Sequence, residues 1–265
     1  MPPRRRDLPR ADAFDPLARL SLENVLRERL EAQPRVALPP DQFKGAGIYA
    51  LYYQGDLPLY RSLSGTQVPI YVGKAEAGNS DYGDLPDEDG FQLSNRIRKH
   101  AASIGQAENI ATTDFLVRYL PLDDAWIVLS ERALLRAYRP VLWNTIVSGF
   151  GANPPGVARK NARSEWDTQH PGRERAGGLC HRHWTYEEQV QRITRAIELS
   201  LLPDGPDRTE GINQLRAQQR QAIWRPNDHG RRILVRDRAR FEGEMARLGL
   251  EIPGEVDYDE AQPEG

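Results

Sequence analysis

Apolar residues recur along the chain at two different spacings, and the switch between them gives the order of elements. Leu17, Leu20, Leu22, Val25, Leu26 and Leu30 return at helical spacing, which predicts an amphipathic helix from about residue 15 to 31, closed off by Pro39 and Pro40. GAGIYALYY at 45–53 is dense in aromatic and branched residues and predicts a strand, broken by Gly55 and Pro58. PIYVGKA at 69–75 predicts a second strand, with Pro69 at its first position, where a missing N–H is tolerated. Residues 76–90 are acidic and rich in Gly and Asp, hence a loop. Helical spacing resumes with Leu93, Ile97, Ala101 and Ile104, and DFLVRYL at 114–120 predicts a third strand. Ile127, Leu134, Leu135 and Tyr138 mark a second core helix, stopped by Pro140.

The order strand, strand, helix, strand, helix over 45–144 predicts an α+β fold, a small three-stranded sheet flanked by helices. Beyond residue 144 the chain turns to Gly, Pro, Arg and His up to about residue 184. Helices are predicted at 185–201 and 231–248, with PDGPDRTEG at 203–211 as a linker. Residues 1–12, rich in Pro, Arg and Asp, are predicted to be disordered. The implied organisation is an N-terminal arm and helix at 1–44, a core with a basic loop region at 45–175, and a C-terminal helical extension at 176–265.

Composition narrows the function. The chain has 265 residues, with 36 Lys and Arg against 38 Asp and Glu, a net charge of −2. A wholly basic coat for non-specific nucleic-acid binding is excluded, while a local basic face is not. A single cysteine, Cys180, excludes an intrachain disulfide and a Cys-rich zinc module. No apolar run approaches the ~18 residues of a membrane span, and no apolar stretch follows Arg4 to Arg6 as in a secretory signal. These features predict a cytoplasmic protein with no membrane partner.

Several polar residues stand where the pattern calls for something else. Glu131 lies four after Ile127 and three and four before Leu134 and Leu135, so it projects from the apolar stripe of its helix. A carboxylate there must be paired, hydrogen-bonded or metal-bound, because an isolated buried charge is too costly. Hard cations such as Mg²⁺ take one or two carboxylates plus waters. Arg96 and His100 lie four apart and share one helix face, as a surface pair or as a cationic fork with a proton-handling partner. Lys74 follows Tyr71-Val72-Gly73 and points to the face opposite Tyr71, either to contact phosphate or assist proton transfer, or as a solvated edge lysine. Asn144 follows Trp143 in a turn setting. Two tyrosines, an arginine, a histidine, a lysine and one carboxylate are what phosphodiester hydrolysis needs: a placed water, charge relief and help for the leaving oxygen.

Arg159, Lys160, Arg163 and Arg173 form a basic stretch among Gly and Pro that suits either a loop along a DNA groove or a solvated loop. The helix with Arg231, Arg232, Arg236, Arg238 and Arg240 is mixed with acids and reads as a solvated or packing helix. His170, Cys180, His181 and His183 fit no common zinc-finger spacing.

Gly47-Ile48-Tyr49 and Tyr71-Val72-Gly73, followed in order by Arg96, Glu131 and Asn144, resemble the GIY-YIG nuclease superfamily. Val72 replaces the usual isoleucine of the second motif, a conservative change in a strand. GIYALYY, PIYVGKA, the Arg96/His100 pair, GFGANPPGVAR at 149–159 and SEWDTQHPGR at 164–173 look like the type II restriction endonuclease branch that cuts CCGCGG, over about residues 14–175. The resemblance implies a Mg²⁺-dependent homodimer that cuts palindromic duplex DNA and is paired with a cognate DNA methyltransferase. By position it implies Tyr49 beside the attacking water as base or orienter, and Tyr71 on the scissile phosphate or the water. It implies Arg96 on transition-state charge, His100 orienting phosphate or shuttling a proton, Glu131 on the metal and Asn144 bracing the site. The N-terminal helix and the helices after residue 184 are the expected dimer elements. Alternatives are a nuclease of branched or damaged DNA, which predicts an extra repair domain, and a non-catalytic DNA-binding module, which predicts loss of the acid or the arginine.

Overall fold

Alternating side chains in two aromatic-rich strands build the centre of the molecule. The computed structural model describes residues 19–77, 90–151, 162–173, 179–180 and 186–221. Along the chain the elements are helix α1 (Arg19–Glu31), strands β1 (Val36–Ala37), β2 (Gly47–Tyr53) and β3 (Tyr71–Ala75), helix α2 (Gln92–Gly105) and strand β4 (Phe115–Pro121). There follow helices α3 (Asp124–Ala137) and α4 (Leu142–Thr145), strand β5 (Ala162–Arg163), helix α5 (Glu165–Gln169), strand β6 (Leu179–Cys180), and helices α6 (Tyr186–Leu201) and α7 (Pro206–Gln221).

The main sheet has the order β1-β4-β2-β3 and all its pairs are antiparallel. It therefore has four strands rather than the expected three. Val36 and Ala37 pair with Val117 and Leu116, and two residues are too few to show an alternating pattern. A second, two-stranded parallel sheet joins β5 to β6.

The seven residues of β2 are all buried, because both faces of the sheet are covered. Tyr49, Leu51 and Tyr53 face one core cluster together with Ile97 of α2, Trp143 of α4 and Ile193 and Ile197 of α6. Ile48, Ala50 and Tyr52 face the other, with Leu26 and Leu30 of α1 and Ile127 and Leu134 of α3. Residues 19–44 of the predicted N-terminal segment thus join the core, since α1 packs on α3 and β1 extends the sheet. In the elements expected to meet a second copy, Leu26 and Leu30 on α1 and Ile193, Ala196 and Ile197 on α6 are buried within the subunit, while Val25 and Leu201 stay exposed. The predicted linker at 203–211 is corrected too, because α7 starts at Pro206. Proline is favoured at a first helical position, and Asp207 follows it in the first turn.

Leu17, the segment 1–12, most of the acidic loop at 78–89, and the helix at 231–248 with its arginines lie outside the described residues. Among the described residues no helix is long and apolar enough to cross a membrane.

His170 is the centre of a buried polar network. Its Nε2 lies 2.8 Å from the Tyr60 hydroxyl and its Nδ1 2.9 Å from Asn109 Oδ1, while Trp143 Nε1 donates to Tyr60 Oη at 3.3 Å. It is a structural histidine, and burial pushes its pKa down to about 3, as it does for His100. Both rings stay neutral in the fold, whereas unfolded histidines take up protons below about pH 6.5. The sign is therefore fixed: stability is full above that pH and falls as pH drops from it toward 3, by up to about 1.4 kcal/mol per pH unit for each histidine. Denaturant unfolding at pH 7 and pH 5 should show this loss, with a shallower drop in a His170→Gln chain. Equal stability at the two pH values would contradict it.

Candidate active site

The candidate site wraps the free edge of β3. Antiparallel pairing places Tyr49 opposite Gly73 and Leu51 opposite Tyr71, so both tyrosines stand on the α2 face of the sheet. Their rings lie 6.1 Å apart. Gly73 is small for a reason: a Cβ built there would lie 2.4 Å from the Tyr49 hydroxyl. Gly47 is equally constrained, with φ of +153° and its missing Cβ 2.3 Å from the Leu120 carbonyl oxygen. The glycines of both motifs thus leave room for a phenol and for a neighbouring strand. A Gly73→Ala chain should lose ~1–3 kcal/mol, the usual cost of overpacking. In a Tyr49→Leu background the added methyl should cost clearly less. Equal costs in the two backgrounds, measured by denaturation, would refute the contact.

Arg96 projects from α2 toward both phenols and lowers the pKa of each, against burial that raises both. Burial wins at Tyr49, whose pKa stands well above its ordinary value, and also at Tyr71. Both tyrosines therefore hold their protons at neutral pH. The Tyr49 hydroxyl is buried and makes no hydrogen bond of normal geometry.

On the other face of β3, Lys74 bonds Glu76 at 2.5 Å and reaches Glu131 of α3 at 3.8 Å. The expectation that Lys74 points away from Tyr71 is met by this geometry. Asp124 at the start of α3 accepts from the Ala77 amide at 3.1 Å, and Asp123 accepts from Ala125 N at 3.0 Å, so the chain after β3 is tied to the helix that carries Glu131. Glu131 sits at the margin of its stripe, beside buried Ile127, Ala133 and Leu134, with its side chain 23% exposed. Burial raises its pKa, and Lys74 is the largest opposing influence. Glu131, Tyr71 and Arg96 are near enough to perturb one another's charge across the strand edge.

Asn144 closes that edge. Its Oδ1 accepts from Val72 N at 2.9 Å and its Nδ2 donates to Val72 O at 2.8 Å, in place of a neighbouring strand. This fixes the backbone between Tyr71 and Gly73.

Two residues lie deeper than their sequence setting suggested. His100 is fully buried, with its ring against Tyr49, Tyr71 and the stacked ring of Phe150, and neither nitrogen has a hydrogen-bond partner. Burial first, then the charges of Arg96 and Arg173, push its pKa down to about 3. Its ring is neutral and buried, unlike the surface pair that its sequence setting allowed. Arg173 does not stand on a solvated loop surface. It is buried against Asp167 and lies over the Trp166 ring at 4.3 Å. Arg159 and Lys160 lie outside the described residues, and of Arg163 only the backbone, in β5, is described. His181 and His183 are likewise outside.

Sequence reasoning missed Glu76, Phe150 and Asp167. Glu76 is two residues from Lys74 on an exposed strand end, and Phe150 lies between two glycines. The signal for Asp167 was the run Ser164-Glu165-Trp166-Asp167, in which Ser164 Oγ accepts from Asp167 N at 3.0 Å as a helix cap.

Among the described residues no group of three or more His, Cys, Asp or Glu could hold a metal, which excludes an all-protein cage there. A single half-buried carboxylate, Glu131, with the Arg96 guanidinium near it is a donor set that fits Mg²⁺, an ion that keeps several waters and is bound through one or two carboxylates.

No curated protein matches the chain at a significant level. The family described as the Eco29kI GIY-YIG domain matches residues 41–197, well over half of the chain and all of the site residues from Tyr49 to Asn144. With the two tyrosine motifs paired across β2 and β3, and Arg96 and Glu131 at the same strand edge, the chain belongs to the Eco29kI GIY-YIG family and is a nuclease of the restriction-endonuclease kind.

Proposed function

We propose that the protein is a Mg²⁺-dependent, site-specific type II endonuclease of palindromic, GC-rich duplex DNA, with CCGCGG as its target. The observation that carries this reading is the meeting of Arg96 with two protonated, buried phenols on one side of β3 and Glu131 on the other.

In the proposed mechanism the guanidinium of Arg96 takes two phosphate oxygens and stabilises the charge that grows on them as the P–O bond to water forms and the opposite P–O bond breaks. Tyr49 keeps its proton, so its hydroxyl orients the attacking water, which loses its proton to solvent while the leaving oxygen takes one up from solvent. Tyr71, nearer the surface, hydrogen-bonds the scissile phosphate. Asn144 holds the strand on which Tyr71 stands. Lys74 holds Glu131 from one side while Glu76 shares its charge. When bound, a Mg²⁺ ion held by Glu131 would supply Lewis acidity at the phosphate.

Arg159, Lys160 and Arg163 remain the proposed phosphate or guanine contacts. The set holds one metal carboxylate and one arginine, which serves one strand at a time. A palindrome is cut on both strands by two copies related by its two-fold axis. A cognate methyltransferase would protect host sites.

The test uses short duplexes carrying CCGCGG or single-base changes of it, with Mg²⁺ or with EDTA. Cleavage of the first duplex alone, abolished by EDTA, is expected. Cleavage in EDTA would refute the metal, and equal cleavage of all duplexes would refute the specificity. In light scattering, two subunits per duplex are expected. One subunit, with nicked circles building up before linear product on a plasmid, would refute the dimer.

A further inference from the structure

The segment from Ser164 to Arg173 is polar in composition yet buried: Ser164, Glu165, Asp167, Thr168, Gln169, His170 and Arg173 are all 5% exposed or less. Burying a guanidinium is expensive unless every part of it is engaged. Arg173 meets that condition. Its Nε donates to Asp167 Oδ1 at 2.5 Å and its Nη2 also pairs with Asp167. Nη2 donates to the Gly149 carbonyl at 2.9 Å and Nη1 to the Phe150 carbonyl at 3.3 Å. Asp167 is itself oriented by Ser164, whose hydroxyl donates to its Oδ2 at 2.5 Å. Gly149 has a φ of +104°, which only glycine adopts cheaply, so the chain turns there and delivers Phe150 inward.

The Phe150 ring is fully buried and meets both site rings at once. It stacks on His100 at 4.6 Å and 22°, and meets Tyr71 edge-on at 4.9 Å and 79°. Trp143, next to the edge-closing Asn144, lies 4.5 Å from it. Tyr71 is thus held by three rings, Tyr49, His100 and Phe150, and only Phe150 comes from outside the sheet and α2.

We propose that Phe150 is a positioning residue for the Tyr71 hydroxyl, and that Arg173, with Asp167, holds it there by gripping the carbonyls of Gly149 and Phe150. The basic residue that the sequence suggested for DNA contact then serves the chemistry from behind. The proposal rests on the nuclease reading for its effect on rate, but its structural link does not.

The test compares the full-length protein with Phe150→Leu, which keeps apolar volume but removes the ring, and Arg173→Lys, which keeps the charge but not the fork. The first readout is the NMR signal of the His100 ring C–H groups, which Phe150 stacking shields. Both variants should move it downfield, Arg173→Lys by less. The second is single-turnover cleavage at saturating DNA, set against DNA affinity in EDTA. Phe150→Leu should slow the chemical step ~10²-fold, the effect of a displacement near 1 Å, with affinity within about two-fold. Arg173→Lys should show the same split with a smaller drop. An unmoved His100 signal in Arg173→Lys, an unchanged rate in Phe150→Leu, or rate and affinity falling together would overturn the proposal. If Phe150→Leu does not fold, Arg173→Lys carries both readouts. A wild-type chain that cuts no duplex would fail the nuclease reading itself, and the NMR arm would still decide the link from Arg173 to the ring pair.

Discussion

In a Glu131→Ala chain, cleavage of duplex DNA should fall by at least ~10³-fold while DNA binding survives. The carboxylate is assigned to a cation and not to a base edge, and a bound metal supplies several kcal/mol of transition-state stabilisation at ten-fold in rate per 1.36 kcal/mol. Folding should not depend on it. Glu131 sits at the margin of the α3 stripe, and Lys74 keeps its closer partner, Glu76 at 2.5 Å, when Glu131 is removed. Its raised pKa has a consequence for the wild type. The proton competes with the cation from a higher pH than for an ordinary glutamate, so cleavage at low Mg²⁺ should begin to fail above the usual carboxylate range and recover with added Mg²⁺. Single-turnover rates and gel shifts on the same duplex check the variant. A rate within ten-fold of wild type, or binding and cleavage lost together in a folded chain, would show the role to be misassigned.

Replacing Arg96 by Ala should slow cleavage ~10²–10³-fold, the usual result of removing one preorganised donor from a growing negative charge. Two effects add here. The phosphate loses its cationic fork, and Tyr49 and Tyr71 lose the neighbouring charge that opposes their burial. Arg96→Lys should recover little, because a point charge does not reproduce a planar two-pronged contact. A single-turnover rate within a few-fold of wild type would contradict the assignment.

The parts of this fold with strong periodicity were legible from residues alone. The strands with Tyr49 and Tyr71 and the helices with Arg96 and Glu131 lie within a few residues of where apolar spacing placed them. Strand β1 was not, because Val36 and Ala37 gain their partners only when β4 is present. Helix α7 was hidden by its composition, since Ile212 and Leu215 are its only buried apolar residues among those described and PDGPDRTEG looks like a linker. The residue types that the fold gathers at the β3 edge were legible, but their burial was not. His100 and Arg173 carry the chemistry of exposed groups in the sequence, and three-dimensional neighbours, Phe150 for one and Asp167 for the other, turned them inward. Long-range partners of this kind leave no periodic trace.

Metal-dependent cutting at defined sequences by one cluster around the β3 edge is tested by digesting a plasmid of varied sequence with the wild-type protein and Mg²⁺ and sequencing every cut end. A small number of discrete ends is expected, all within one palindromic GC-rich sequence, and none from a Glu131→Ala chain. Ends scattered without sequence preference, or the same ends from the Glu131→Ala chain, would contradict it.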